Sequence, residues 1–588
     1  MGGVPRPTSD SPPIRRTADP AQTREDLATL RPDLVERYDA ELPGARAAVL
    51  GRLLGALDRE PLPGLSKRRA GEVSFPGVTV RFPRSAAVTF APAEAGLEAT
   101  VRAEIGPRDG QGWGPGGGFE PDWGWDRPSP GATPAWLDSD AWVEELSPGA
   151  FITDPGTLVR VLWPGSDLAA EIDNSVANLA LGRAAAGRAA ASGAAASGAA
   201  GAADGAASGS AGPGGWLRFE GPDGLALAEQ SIVDGHPLHP CCRTRGGMSV
   251  ADVLAYAPEH SPTIRLRRLR VPAERWHGTA EPVLLAHPWQ AERIRDACPW
   301  LADAGETGPA RPLMSLRTVA MAGGGVHIKT AVDVQMTSAV RTVSPAAVEN
   351  GPVLSRLLRT VLRDLPIDVL AETAAGAVLV DGVPQRHLAY LVREAPRLEA
   401  EEVCVPVALF GAEPALVATV PDPYEMMGLF GRLLFAPLVR VLDRGLALEA
   451  HGQNTLVVLR GGRPVRMLYR DLGGVRVSGR RLRDHGFEAP PLRGDLPSDD
   501  PQVLRSKLAA AAFGTVAAEL VAALSRRGAD PHGLWGIIAA ALRETGTRDV
   551  PHLLRQPLPV KATTAMRLAA DPLDDIWAYL DNPLAAHA

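Results

Sequence analysis

Residues 315–334 read SLRTVAMAGGGVHIKTAVDV. Two runs of β-forming residues flank Gly323, Gly324 and Gly325, and such runs around a glycine turn spell an antiparallel hairpin. The pattern recurs at 455–471, where TLVVLR and VRMLYRD flank GGRP. Helical stretches surround both without regular strand–helix–strand alternation. The expected fold class is therefore mixed α+β, with hairpins and meanders in place of a doubly wound parallel sheet. Ser315 and Arg317 share one face if that run is a strand, and the pairing register decides whether Lys329 joins them. With Arg460 opposite Val465, antiparallel counting sets Asn454 opposite Asp471.

The remaining chain bounds the reading. Its 588 residues are enough for several cores. A net charge of −7 argues against nucleic acid or an anionic membrane as the partner of the whole protein. Four cysteines, at 241, 242, 298 and 404, are too few for a disulfide framework and suggest a reducing cytoplasm. The N-terminal segment is Pro-rich and polar, with no apolar run of a signal peptide, and is expected to be disordered to about residue 22. Residues 27–57 have helical periodicity, and 73–90 alternate like strands. WGPGGGF, in a Gly/Pro/Trp-rich loop at 110–136, lacks the Gly-Lys-Ser/Thr ending of a phosphate-binding loop. The Ala/Gly/Ser tract at 184–215 reads as a flexible insertion. Val503–Leu524 is apolar but carries Lys507 and Glu519, so a buried helix is expected there. Asp422-Pro423-Tyr424-Glu425 has the form of a capping box, and Gly445 of the stop.

Four stretches concentrate chemistry. GHPLHPCCRTRGG (235–247) holds His236, His239, Cys241, Cys242, Arg243 and Arg245. Adjacent cysteines and stiffening prolines suit a zinc ion poorly, whereas guanidinium forks beside imidazoles suit carboxylate or phosphate. SLRT, with Lys329, sets hydroxyls and cations along one hairpin. TSAVRT (337–342) again pairs small hydroxyls with a guanidinium, Arg341. EAHGQN (449–454) and RDLGG (470–474) bring Glu449, His451, Asn454 and Asp471, hard oxygen donors of the kind magnesium takes alongside phosphates. Cations for phosphate and carboxylates for a metal together describe a magnesium–nucleotide site without a P-loop.

These pieces, with EIDNSVANLAL (171–181) and HPWQ (287–290), resemble the NRPS-independent siderophore synthetases of the IucA/IucC type, over about residues 171–474. The resemblance implies a hand-like architecture: a thumb (1–215), fingers with antiparallel sheets (216–365) and a kinase-like helical and β palm (366–588). It implies an ATP- and Mg2+-dependent enzyme that adenylates a carboxylic acid, citrate or a relative, and condenses it with an amine or alcohol. Ser315, Arg317, Thr318 and Lys329 would grip ATP phosphates. Thr337 and Arg341 would contact nucleotide phosphate and substrate carboxylate, and Asn454 would serve nucleotide and metal. His236, Arg341 and His451 would act in acid activation, with His239, Arg243, Arg245 and Glu449 toward substrate. Glu449, Asn454 and Asp471 would hold magnesium. Family members are often homodimers. Arg243 stands where the family usually has lysine, and Cys242 where it has an aromatic residue.

Two rival readings are weaker. A kinase-like phosphotransferase would need a catalytic Asp where Gln453 stands. The C-terminal part resembles ferric-siderophore reductases, but no cysteine follows Cys404 to hold an iron–sulfur centre.

Overall fold

The computed structural model describes residues 18–82, 103–105, 151–198, 213–337, 339–571 and 575–588. Its central sheet has six strands, in the order Ala310–Pro312, Thr318–Met321, Val326–Thr330, Val383–Glu394, Glu372–Val380, Trp276–Gly278, and every pairing is antiparallel. A second sheet follows in the order Ile367–Val369, Arg463–Tyr469, Thr455–Arg460, Glu402–Pro406. Only Ile367–Val369 in it runs parallel to its neighbour. Both expected hairpins are present, and the α+β class holds.

Register decides which side chains meet. Thr318 pairs with Lys329, and Lys329 with Leu391. One row along, Ala320 pairs with His327 and His327 with Arg393. Side chains two apart share a face, so Thr318, His327, Lys329 and Arg393 stand on one side of the central sheet. Ser315 and Arg317 precede the strand. Leu316 between them is left-handed (φ 64°), so they sit on a turn and not on a common strand face. The second hairpin turns at Gly461 and Gly462 with Arg460 opposite Arg463. A bulge at Val458/Leu459 then leaves Thr455 opposite Tyr469, and Arg470 N–H donates to Asn454 O. Asn454 therefore faces Arg470, one residue short of the expected Asp471: the turn takes two residues instead of four, and the bulge restores one.

Three cores hold these sheets. The largest packs the second sheet against the helices of the C-terminal half, among them Pro501–Ser525, an apolar and mostly buried helix with a π-type stretch at Ala512–Ala517. A second joins the helices Val35–Arg59 and Leu168–Gly198 to the loop and short helix at 241–257 and to Val560, Ala562, Ala565 and Ala578 near the C-terminus. The returning C-terminal segment is fastened by Glu60, whose buried carboxylate accepts from Thr564 N and Ala565 N. A third lies on the central sheet's far face, around Val319, Ile328 and Leu269.

Local signals explain the element ends. Asp422 caps Pro423–Phe430 by accepting from Tyr424 N and Glu425 N. Glu425 does not close the box, because it pairs with Arg463 instead. Gly445, at φ 109°, ends that helical run. The N-terminal helix starts at Pro20 under an Asp19 cap, earlier than expected, and breaks at Arg31–Leu34 before Val35–Arg59. The alanine-rich tract corrects the linker reading as far as Gly198. Alanine's helix propensity extends a helix already anchored by Ile172, Val176 and Leu179. The rest of that tract, the WGPGGGF loop and the strand reading beyond residue 82 lie outside the described residues.

Burial also sets a pH limit. His239, His287 and His327 are buried, and burial lowers all three pKa values, that of His287 to about 3. Unfolded imidazoles take up protons below about pH 6.5 while these three stay neutral, so each costs about 1.4 kcal/mol per pH unit of acidification in that window. Glu519, raised by burial to about 8, works in the opposite direction, as do Glu60 and Asp173, which burial also raises. Thermal melts at constant ionic strength should show the midpoint falling steadily from pH 7 to pH 5. A flat profile would mean that these imidazoles are solvated.

Candidate functional site

A bridge of charge joins the two sheets. Lys329 Nζ donates to both carboxylate oxygens of Asp471, at 2.7 and 2.8 Å. Arg393 donates to Glu372 Oε1 at 3.0 Å and comes within 3.8 Å of Asp471. Lys329, Arg393 and Glu372 are buried on the central sheet, and Asp471 lies two residues beyond the second sheet's hairpin strand. Burial works against ionised Asp471, but Lys329, Arg393 and Arg317 outweigh it and hold its carboxyl far below the usual range.

The remaining expected phosphate ligands gather here. Arg317 donates to Thr342 O and Arg341 to Thr337 Oγ1, tying the turn before the hairpin to TSAVRT. Burial, then the positive charge of Arg317, lowers Arg341 to about 10. Leu316, Thr337 (φ 50°) and Asp471 (φ 70°) are all left-handed non-glycine residues beside these groups. Strained backbone at three such points is characteristic of a built site.

A second cluster completes the floor. Lys507 and Lys561 bind Glu449 Oε1 at 3.0 and 3.3 Å, and Asp575 bridges the same lysines. Burial pushes the Glu449 carboxyl up, yet Lys507, Lys561 and His451 bring it down to about 2. His451 is lowered by burial, against the pull of Glu449 and Asp471. Gly474 makes room for this carboxylate, since a Cβ there would lie 2.0 Å from Glu449 Oε2. Counting the two clusters together, cations exceed carboxylates, which suits a polyanionic ligand.

The loop at 235–247 plays a different part from the one expected. Helix Leu168–Gly198 grips its backbone: Ser175 Oγ donates to Pro240 O and accepts from Arg243 N, Asn178 Nδ2 donates to Arg243 O, and Asn174 Oδ1 accepts from Arg245 N. Arg243 and Arg245 point inward to the buried Glu259, at 3.3 and 2.9 Å. Arg243 also caps the carbonyls of Val233 and Ile232. The sequence pointed both arginines toward substrate; in the structure buried charge is matched by buried charge, and both hold the loop. His239 is buried with Nδ1 accepting from Cys241 N, and it too shapes the loop. Burial, then Glu171, raises the Cys241 thiol well above its ordinary value, so it is a packing group and a poor zinc ligand. His236 alone opens to solvent. Its Nδ1 accepts from Leu238 N and His239 N, which places the ring proton on Nε2. The cleft walls, then the charge of His451, Arg52, Arg59 and Arg341, keep it neutral.

Among the described residues no group of three His, Cys, Asp or Glu side chains is arranged around a metal position. Glu449, Asn454 and Asp471 still offer hard oxygens, and Asn454 spends its amide nitrogen on Glu449 O, leaving its oxygen available. Hard oxygens of this kind are what magnesium takes alongside phosphates, although both oxygens of Asp471 accept from Lys329 here.

Sequence reasoning missed Arg393, Glu372, Lys507, Lys561 and Asp575. A lysine inside the apolar helix was the signal for Lys507. Arg393 becomes visible only once the register with His327 is known.

The IucA / IucC family model matches residues 224–282 and 279–411, and the ferric iron reductase FhuF-like transporter model matches 429–584. Staphyloferrin A synthase of Staphylococcus aureus is 25% identical over 62% of this chain and 73% of its own length. The L-2,3-diaminopropanoate–citrate ligase of the same species is 25% identical over 44% of this chain and 54% of its own. The solved structure of ATP-bound aerobactin synthetase IucA from Klebsiella pneumoniae superposes with a TM-score of 0.63 at 18% identity, covering 92% of this chain and 99% of that one. The chain is thus similar in sequence to siderophore synthetases and, over residues 224–411, to the IucA/IucC family. The FhuF-like match falls wholly after Cys404, so the matched segment contains no cysteine.

Gly474→Ala should cut activity about tenfold or more by displacing the Glu449 carboxylate, with an unchanged circular-dichroism spectrum. Full activity in this variant would remove Glu449 from the site.

Proposed function

We propose that the chain is an ATP-dependent acid–amine ligase of siderophore biosynthesis, which activates citrate or a related polycarboxylate as an acyl-adenylate and joins it to an amine. The observation that carries this reading is the convergence of Lys329, Arg317, Arg341 and Arg393 on Asp471, a cation-rich cleft between two sheets with no P-loop. The citrate named in one relative and the ATP bound in another support it.

In this reading a substrate carboxylate oxygen attacks the α-phosphorus of ATP and pyrophosphate leaves. The amine nitrogen then attacks the acyl carbon, loses a proton, and AMP leaves. Lys329, Arg317 and Arg341 orient the phosphates and counter the charge that builds on the oxygens in flight. Ser315, Thr318 and Thr337 supply hydroxyls beside them. His236, neutral with its proton on Nε2, is a donor to a developing oxyanion. His451 stands between the two carboxylates and adds a second imidazole. Lys507 and Lys561 neutralise Glu449 and receive further carboxylates of the acid. Magnesium, held by Glu449, Asn454 and Asp471, would supply charge neutralisation on the phosphates. The regions 1–215, 216–365 and 366–588 then serve as thumb, fingers and palm, with the cleft between the last two.

Purified protein with ATP, Mg2+, hydroxylamine and single acids should yield hydroxamate and pyrophosphate with one polycarboxylate. Arg341→Ala and His451→Ala should each lower that yield about 100-fold or more while leaving the fold intact. Wild-type yields in both variants would sink the site assignment.

A further inference from the structure

Lys507 and Glu519 lie on one helical run, Pro501–Ser525, interrupted by the π-type stretch Ala512–Ala517. An unbroken α-helix over that interval would set the two side chains about a third of a turn apart. A π turn takes up an extra residue and brings them back toward one face, about 18 Å apart along the axis. Lys507 reaches Glu449 on the floor of the cleft, and Glu519 stands at the far end of the same helix.

Its neighbours on two sides lead to the two imidazoles of the cleft. The Glu519 side chain packs on Gly411, where a Cβ would lie 3.7 Å from Oε1. Gly411 is one turn from Ala408, whose N–H donates to Gly452 O, next to His451. From the other side the charge of Arg52 reaches Glu519, and Arg52 donates to His236 O. Glu519 is half-buried and makes no hydrogen bond or ion pair among the described residues. The carboxylates of the charge clusters are already matched: Asp471 by Lys329, Glu372 by Arg393, and both Glu449 and Asp575 by Lys507 and Lys561. Burial, against the pull of Arg52, raises the Glu519 carboxyl to about 8, so a cation arriving beside it is what ionises it fully at neutral pH.

An unpaired carboxylate at the end of a cleft otherwise rich in cations sorts reactants by charge. Phosphates and the carboxylates of the acid are drawn to the lysines and Arg341. The amine is the reactant that arrives as a cation. Its reacting nitrogen must be neutral to attack an acyl carbon, so an ammonium that stays on Glu519 is a second one, at the other end of the molecule. We propose that Glu519 is a specificity residue for the amine half of the condensation, holding the distal ammonium of a nucleophile that carries two amino groups. It touches the substrate without entering the bond-forming step, and the assignment rests on the acid–amine ligase reading.

Amide formation by the full chain, with the acid that yields hydroxamate, tests this in wild type and Glu519→Gln. The nucleophiles are 1,4-diaminobutane and 1,5-diaminopentane, each beside the monoamine of the same length. For at least one pair, the wild-type KM should be about tenfold or more lower for the diamine. Glu519→Gln should raise that diamine KM to the monoamine value, with kcat unchanged. Trapping by hydroxylamine, which is small and uncharged at neutral pH, should be the same in both proteins. The proposal is overturned by equal KM values in wild type, by an unchanged diamine KM in the variant, or by an equal fall in kcat for monoamine and diamine, which would make Glu519 a general base. Loss of hydroxamate in the variant alone would also overturn it, by making Glu519 a support of the acid site. Absence of hydroxamate in wild type refutes the ligase reading by itself. Calorimetric titration of the same amines into the two proteins then decides the role of Glu519: tighter diamine binding that disappears in Glu519→Gln upholds it as an ammonium site, and equal or absent binding overturns it.

Discussion

The bond from Lys329 to Asp471 organises the cleft. It is the point where the glycine hairpin of the central sheet meets the chain leaving the second sheet. Removing one partner of such a buried pair leaves a charge uncompensated, at about 3–5 kcal/mol. Arg393 and Glu372 extend the pair into a four-membered array, so the cleft's charges are positioned before any ligand arrives. Catalysis by electrostatic stabilisation depends on such preorganisation, because groups already in place need not reorient as charge develops.

Around that bridge, rigidity is built from backbone hydrogen bonds more than from side-chain charge. Asn174, Ser175 and Asn178 project from one helix onto the loop that carries His236. HPWQ acts likewise: His287 caps its own helix and Gln290 accepts from Asp333 N, fixing the strand that leads to Thr337 and Arg341. Arg243 and Arg245 serve the same purpose with Glu259, whose carboxyl burial pushes up and the two arginines bring down to about 2. Arginine in place of the family's usual lysine therefore bears on loop support here, since its fork reaches two carbonyls and a carboxylate at once.

Much of this was legible in the sequence, and the failures share a cause. Hairpins, caps and glycine stops are local, so the glycine turn, Asp422 and Gly445 declared themselves. Lys329, Asp471 and Arg341 stood out in the sequence because their motifs are compact. The direction in which a side chain points is a tertiary property. Arg243 and Arg245 read as ligand grips because nothing in their own segment shows Glu259 behind them. Arg393 and Glu372 sit in ordinary-looking strands and gain meaning only from the register with His327. Lys561 comes from a C-terminal segment brought to the floor by Glu60, a contact about 500 residues apart in the chain.

Calorimetric titration of ATP into wild type and into Lys329→Met tests most directly the claim that this cation-rich bridge receives a nucleotide's phosphates. The account predicts saturable binding to wild type that weakens as salt rises, and a loss of about tenfold or more, about 1.4 kcal/mol, in the variant. Equal affinity in the two proteins would contradict it and place the phosphates elsewhere.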